Sequence, residues 1–228
     1  VALYGLAYSI GMLVQLFISG MNSALTPWMY SKIKKGDIRS MRKVLQLLSI
    51  VVVGIAVALM LISPELVLIF GSPKYREAVY VIPPVAASVF FIFIYNILSM
   101  PQFYYEKTQF LMAASMAAAG ANVVLNFIFI RLFGYIAAGY TTLACYMLYS
   151  VGHYIVSKRI LVNEGIQENL MNPGFLLACS VFLIGASIIC NLIFPYRILR
   201  YAILLASAGL VFWKKELLLK TMADIRKK

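Results

Sequence analysis

Seven long apolar stretches, separated by short polar connections, limit what this chain can become more than any other feature. They cover approximately residues 1–30, 41–63, 79–102, 108–130, 135–157, 174–195 and 198–213, the last being the shortest. A bilayer core takes about 20 helical residues to cross. In lipid every backbone N–H and C=O must be paired within its own segment, which makes helices of them. The expected fold class is therefore all-α, a polytopic membrane helix bundle of about seven transmembrane helices over 1–213, followed by a basic tail at 214–228. Composition agrees, with 63% hydrophobic residues, 12% charged and a mean hydropathy of +0.89. Soluble domains are about 45–50% apolar and about 25% charged.

Val1 already lies inside an apolar stretch, with no initiator Met and no signal-peptide layout before it. The expectation is a piece of a longer protein whose N-terminal part precedes Val1.

A net charge of +12 could suggest nucleic acid, but the placement of the charges excludes it. All 20 Lys and Arg lie between or at the edges of the apolar stretches. A cation at the bilayer centre costs about 2.5–3.5 kcal/mol on insertion scales. The first connection holds Lys32, Lys34, Lys35, Arg39, Arg42 and Lys43; the third holds Lys107; the fifth holds Lys158 and Arg159. The tail adds Lys214, Lys215, Lys220, Arg226, Lys227 and Lys228. The alternate connections carry only Lys74, Arg76, Arg131, Arg197 and Arg200. Fifteen cations against five place the 32–43 loop and the C-terminus in the cytoplasm. A final segment that failed to span would leave its cationic tail outside, so the charge pattern favours seven spans.

No connection is long enough to hold a domain with its own core. Residues 64–70 predict a short helix at the outer surface, stopped by Gly71 and Pro73. Pro27 predicts a kink near the inner end of the first helix, and Pro173-Gly174 opens the sixth. In the tail, Leu218, Met222 and Ile225 share one helical face among cations, which fits either an amphipathic helix on the anionic leaflet or a solvated helical end.

The chemistry of an enzyme is hard to find. None of the eight acids sits mid-span, and nothing resembles a catalytic nucleophile–base pair or a phosphate-cradling loop. Cys145, Cys179 and Cys190 lie in apolar runs without metal-ligand spacing and read as packing residues. His153 stands alone near the inner end of the fifth helix, with no acid at helical spacing, and reads as a structural histidine. The expected catalytic, metal and cofactor sets are therefore empty.

Amides and phenols are what the spans do contain. Tyr8, Gln15 and Asn22 repeat every seven residues on one helix face. Asn96 and Gln102 lie on the third helix, Asn122 and Asn126 on the fourth, and Tyr140 and Tyr146 on the fifth. Ser115, Ala119, Asn122 and Asn126 form a seam of small and amide side chains, predicting that the hairpin of helices four and five packs inside the bundle. Such groups can glue helices together, or several can line a wet pathway for a polar cargo. Tyr8, Gln15, Asn22, Asn96, Asn122 and Asn126 are the pathway candidates.

The run NVVLNFIFIRLFGYIAAGYTTLACY resembles the hairpin of polysaccharide flippases in the multidrug/oligosaccharidyl-lipid/polysaccharide exporter superfamily. Asn122, Asn126, Arg131, Gly134, Ala137, Ala138 and Thr142 carry that likeness. YGLAYSIGMLVQLFISGMNSALTPWMYSKIKKGD, SPELVLIFGSPKY and MPQFYYEKTQ are similar to further flippase segments, so that the resemblance covers about residues 1–160. It implies the C-terminal lobe of a two-lobe alternating-access transporter, helices eight to fourteen, with a missing N-terminal lobe as its partner. The implied substrate is an oligosaccharide on undecaprenyl diphosphate, turned from the cytoplasmic to the periplasmic leaflet of a bacterial inner membrane. With no cation at mid-depth, Lys32, Lys34 and Lys107 are the inner-mouth candidates for the diphosphate. Two alternatives stay open: a multidrug and toxin extrusion pump of the same superfamily, and a membrane enzyme of polysaccharide assembly. No nucleic acid partner is expected.

Overall fold

A computed structural model of the chain describes residues 2–71 and 73–213. The tail reading for Leu218, Met222 and Ile225 lies outside the described residues.

The described chain is helical throughout. Helices α1 (Ala2–Lys34), α2 (Ile38–Leu61), α4 (Ile82–Tyr104), α5 (Gln109–Phe133), α6 (Ala137–Asn163), α7 (Pro173–Ile193) and α8 (Arg197–Trp213) correspond to the seven apolar stretches. The connection after α2 folds into the short helix α3 (Ser63–Phe70) and a 3-10 helix at Pro73–Tyr80. Five helices, α1, α2, α4, α5 and α7, are long and apolar enough to cross a membrane. Helix α6 has the length, at 27 residues, but Tyr, Thr, Ser, Gly and His dilute its apolar surface. Helix α8 has 17 residues.

Helix boundaries follow local chemistry. Asp37 caps α2, its carboxylate accepting from Ser40 N–H, while Lys32 donates to its other oxygen. Asn172 caps α7 by accepting from Gly174 N–H at 2.8 Å, with Pro173 in the first turn. Helix α5 runs on through Arg131, Leu132 and Phe133, so the turn expected at 131–134 is shorter than its sequence suggests. Gly134 ends it with φ +74°, and its N–H donates to the Ile130 carbonyl at 2.9 Å.

Helix α4 is the centre. Its sequence is apolar on every side, and almost every residue from Ile82 to Gln102 is buried against α1, α2, α6 and α7. Apolar surface alone does not drive helices together in lipid, so close approach and hydrogen bonds must. At Gly139 a Cβ would lie 2.7 Å from Pro84 Cγ and 3.2 Å from the Val81 carbonyl, which explains the glycine where α6 crosses α4. Ser150 Oγ donates to the Phe91 carbonyl at 3.0 Å and ties the same two helices farther along.

The seam hairpin meets expectation only in its second half: α6 is packed against α4, but α5 is not enclosed. None of the residues of α5 is buried; the helix leans on α6 at the edge of the described bundle rather than inside it. A single neighbour cannot enclose α5, so the seam borders an open groove instead of a packed core. Bulky apolar residues such as Val123, Phe127, Leu177, Val181 and Leu192 lie exposed on α5 and α7, as lipid contact requires.

Candidate functional site: a tyrosine groove and an amide pocket

Helices α1, α4, α5 and α6 border a groove of about 540 Å³. Five tyrosines line it: Tyr4 and Tyr8 from α1, Tyr95 from α4, Tyr146 and Tyr149 from α6. Helix α5 supplies Ser115, Ala118, Ala119 and Asn122, and α6 adds Thr142. Tyr4 and Tyr8 stack with centroids 5.9 Å apart; Tyr95 and Tyr146 lie nearly parallel at 6.2 Å. Two hydroxyl pairs brace the walls, Tyr4 with Thr142 at 3.0 Å and Ser115 with Tyr149 at 2.8 Å.

A second cavity of about 260 Å³ lies between α1 and α4. Gln15, Ser19, Asn22, Ser23 and Thr26 come from α1, and Tyr95 and Asn96 from α4, with Ile18 and Ile92 as apolar wall. Tyr95 borders both cavities, so the groove and the pocket are neighbours that share one ring. None of the residues lining either one is charged.

The structure divides five of the six pathway candidates between these sites. Tyr8 and Asn122 face the groove; Gln15, Asn22 and Asn96 face the pocket. The Tyr8–Gln15–Asn22 face is thus shared between the two cavities, with Tyr95 bordering both. Asn126 lines neither of the two: its Nδ2 donates to Asn122 Oδ1 at 2.8 Å and its Oδ1 accepts from Thr141 Oγ1 at 2.6 Å. It serves to join α5 to α6.

Sequence reasoning missed Tyr4, Tyr95 and Tyr149. The available signal was a phenol where the neighbouring residues in FFIFIYN are Phe and Ile, since a hydroxyl in a span needs a partner.

The inner-mouth cations are mostly engaged. Lys32 is buried and pairs with Asp37; Lys107 pairs with Glu164 at 2.8 Å. Lys34 is exposed. The hydrogen bonds from Lys32 and then from Ser40 hold the Asp37 carboxyl at about 2, well below its ordinary value. His153 is fully buried, and its Nδ1 accepts from Gln102 Nε2 at 2.7 Å, which fits the structural role.

A family model, MatE, matches residues 1–128, more than half of the chain. The chain belongs to the MatE family. It is accordingly a multi-pass membrane protein of the multidrug/oligosaccharidyl-lipid/polysaccharide exporter superfamily, a family of transporters. The match takes in α1 to α4 and most of α5, including every pathway candidate. Nothing matches among curated proteins or among solved structures.

Proposed function

We propose that this MatE chain acts as a lobe of a flippase for undecaprenyl-diphosphate-linked oligosaccharide. The cargo passes from the cytoplasmic to the periplasmic leaflet of the bacterial inner membrane by alternating access. The observation that carries this reading is the lining of the groove: ring faces, hydroxyls and amides, with no charge. Sugar rings offer apolar C–H faces and a rim of hydroxyls, and tyrosine answers both. A head group of this kind entering hydrocarbon unaided would lose several kcal/mol for each polar group left without a partner. In the same reading the chain crosses seven times with its C-terminus in the cytoplasm, and Lys34, with Lys32 and Lys107, meets the diphosphate at the inner mouth.

The aromatic walls also favour a second reading, a multidrug-type antiporter, because tyrosine faces attract organic cations. The lining offers no carboxylate to complete such a site. A strain deleted for the gene and complemented with it separates the two. The flippase reading expects surface polysaccharide to return with no change in efflux of a fluorescent quaternary ammonium dye. Restored efflux without restored polysaccharide would reverse the assignment. If Lys32, Lys34 and Lys107 changed together to Gln leave flipping unaltered, the inner-mouth role is lost.

A further inference from the structure

Helices α6 and α7 each pack on α4 but barely meet each other, and a cleft of about 280 Å³ opens between them. Phe91 and Ile94 of α4 form its floor, Val151 and Tyr154 of α6 one wall, and Leu177 and Ser180 of α7 the other. Val151 and Leu177 are both exposed, so the cleft opens on the surface that faces lipid. Apart from the Tyr154 phenol, its hydroxyls have already spent their protons. Ser150 Oγ donates to the Phe91 and Tyr146 carbonyls, at 3.0 and 2.8 Å, and Ser180 Oγ to the Leu176 carbonyl at 2.8 Å. Water would find too few partners there, and a hydrocarbon chain needs none.

The cleft lies within one leaflet and ends at a cation. Its lining runs along α6 from Met147 to Tyr154, and along α7 from Ser180 back to Pro173, about 10 Å of helix in each case. Val151, Tyr154 and Lys158 follow one another at i, i+3 and i+7, so Lys158 continues the lining stripe. It stands about 16 Å along the helix from Met147, against about 15 Å for half a hydrocarbon core. Lys158 is exposed and forms no ion pair with a described residue. Arg42 of α2 brings a second charge, which reaches the Tyr154 phenol. Its Nε donates to the Asn169 carbonyl at 2.7 Å and its Nη2 to Glu168 at 3.3 Å, which leaves Nη1 without a partner among the described residues.

We infer that this cleft holds one acyl chain of a resident anionic phospholipid, whose phosphate sits at head-group level against Lys158 and the Tyr154 hydroxyl. Apolar walls accept any lipid chain; the cation selects the charged head group. The chain fills the space between α6 and α7 that no side chain fills, and so joins α7 to the α4–α6 pair. The sugar cargo has no part in this, and the inference stands apart from the oligosaccharide reading.

Native mass spectrometry of the full-length protein tests it, with equimolar phosphatidylglycerol and phosphatidylcholine of the same chains added in detergent. One phosphatidylglycerol should stay bound, at about tenfold higher affinity than phosphatidylcholine, the effect of one hydrogen bond to a charged group. Lys158→Gln should erase that preference. Leu177→Trp at the exposed mouth and Ser180→Phe inside should each release both lipids. Added phosphatidylglycerol should raise the Tm of the wild type and not that of Lys158→Gln. Equal affinity for the two lipids would overturn the assignment. So would a preference that survives Lys158→Gln, or a bound lipid that neither cleft variant disturbs. Displacement by equimolar undecaprenyl phosphate would give the cleft to an isoprenoid tail, and a lipid-free dimer would give it to a second copy; either result overturns the proposal.

Discussion

Arg200 on α8 holds Glu65 on α3 through both terminal nitrogens, at 2.8 and 2.9 Å, across 135 residues of chain. Arg200 is 1% exposed, and its Nη1 also donates to the Leu61 carbonyl at the end of α2, at 2.6 Å. Tyr201 adds a hydrogen bond to the same carboxylate at 2.8 Å. One guanidinium thereby fastens the last described helix to the α2–α3 corner. Two parallel N–H···O bonds make this geometry specific to arginine.

Removing Glu65 should be costly because it strands a buried cation. Glu65→Ala is expected to destabilise the protein by about 3 kcal/mol, and Arg200→Lys by less. Thermal unfolding in detergent checks both. Acid should act in the same direction. Burial pushes the Glu65 carboxyl up, but the bonds from Arg200 and Tyr201 outweigh it and hold the carboxyl below its ordinary value. A depressed carboxylate stabilises above its unfolded pKa and loses that contribution as pH falls through the folded one. The wild-type Tm should therefore drop at acid pH more steeply than that of Glu65→Gln.

Asp37 caps α2 and pairs with Lys32, and two substitutions separate these roles. Asn is as good a cap as Asp, so Asp37→Asn should lose only the ion pair. Asp37→Ala should lose the cap as well, about 0.5–2 kcal/mol. Faster amide exchange over residues 38–41 in Asp37→Ala than in Asp37→Asn is the expected result; equal rates would show that the cap contributes nothing. The Asp37 carboxyl, held at about 2, should stay ionised until well below the ordinary carboxylate range.

Gln102 and His153 are both fully buried and bonded to each other between α4 and α6. Gln102→Leu leaves His153 Nδ1 without a donor and should cost about 1–3 kcal/mol. Adding His153→Phe removes the stranded group, so the double variant should regain part of the loss. Strict additivity of the two Tm changes would mean that the bond carries no coupling.

Gly139→Ala should force α6 away from α4, since the new methyl meets both Pro84 and backbone. An overpacked contact of this kind costs about 1–3 kcal/mol. Gly120→Ala, inside α5 at a position with nothing within 4 Å, is the control and should hold or slightly raise the Tm, since alanine is the better helix former.

Tyr95 borders both cavities, so its ring should matter more than its hydroxyl if sugar faces pack there. Tyr95→Phe should retain most flipping and Tyr95→Ala should lose it, read as surface polysaccharide at equal protein level. Equal activity in both variants would remove the ring from the pathway.

The helical class and element order were legible because a span must be apolar over its whole length, and polar breaks show in the residues themselves. Caps were legible for the same local reason: Gly71, Gly134 and Pro173 act within a turn of where they stand. The position of α5 was not. A seam of Ser115, Ala119 and Asn122 looks alike whether a backbone or an open groove lies opposite, and only the arrangement of neighbours distinguishes them. The same limit hid Tyr95 as the residue common to both cavities, and the pairing of Glu65 with Arg200.

By itself, then, the sequence determined a polytopic helical membrane protein, the elements it is built from, and a store of neutral hydrogen-bonding groups within them. Hydropathy, capping and charge placement act within a turn or a span and need no knowledge of what lies across the bundle. Which of those groups meet, and which face a cavity, was decided only by the packing of α1, α2, α6 and α7 around α4 and of α5 against α6. Contacts between helices distant in sequence depend on crossing geometry, which no local pattern encodes.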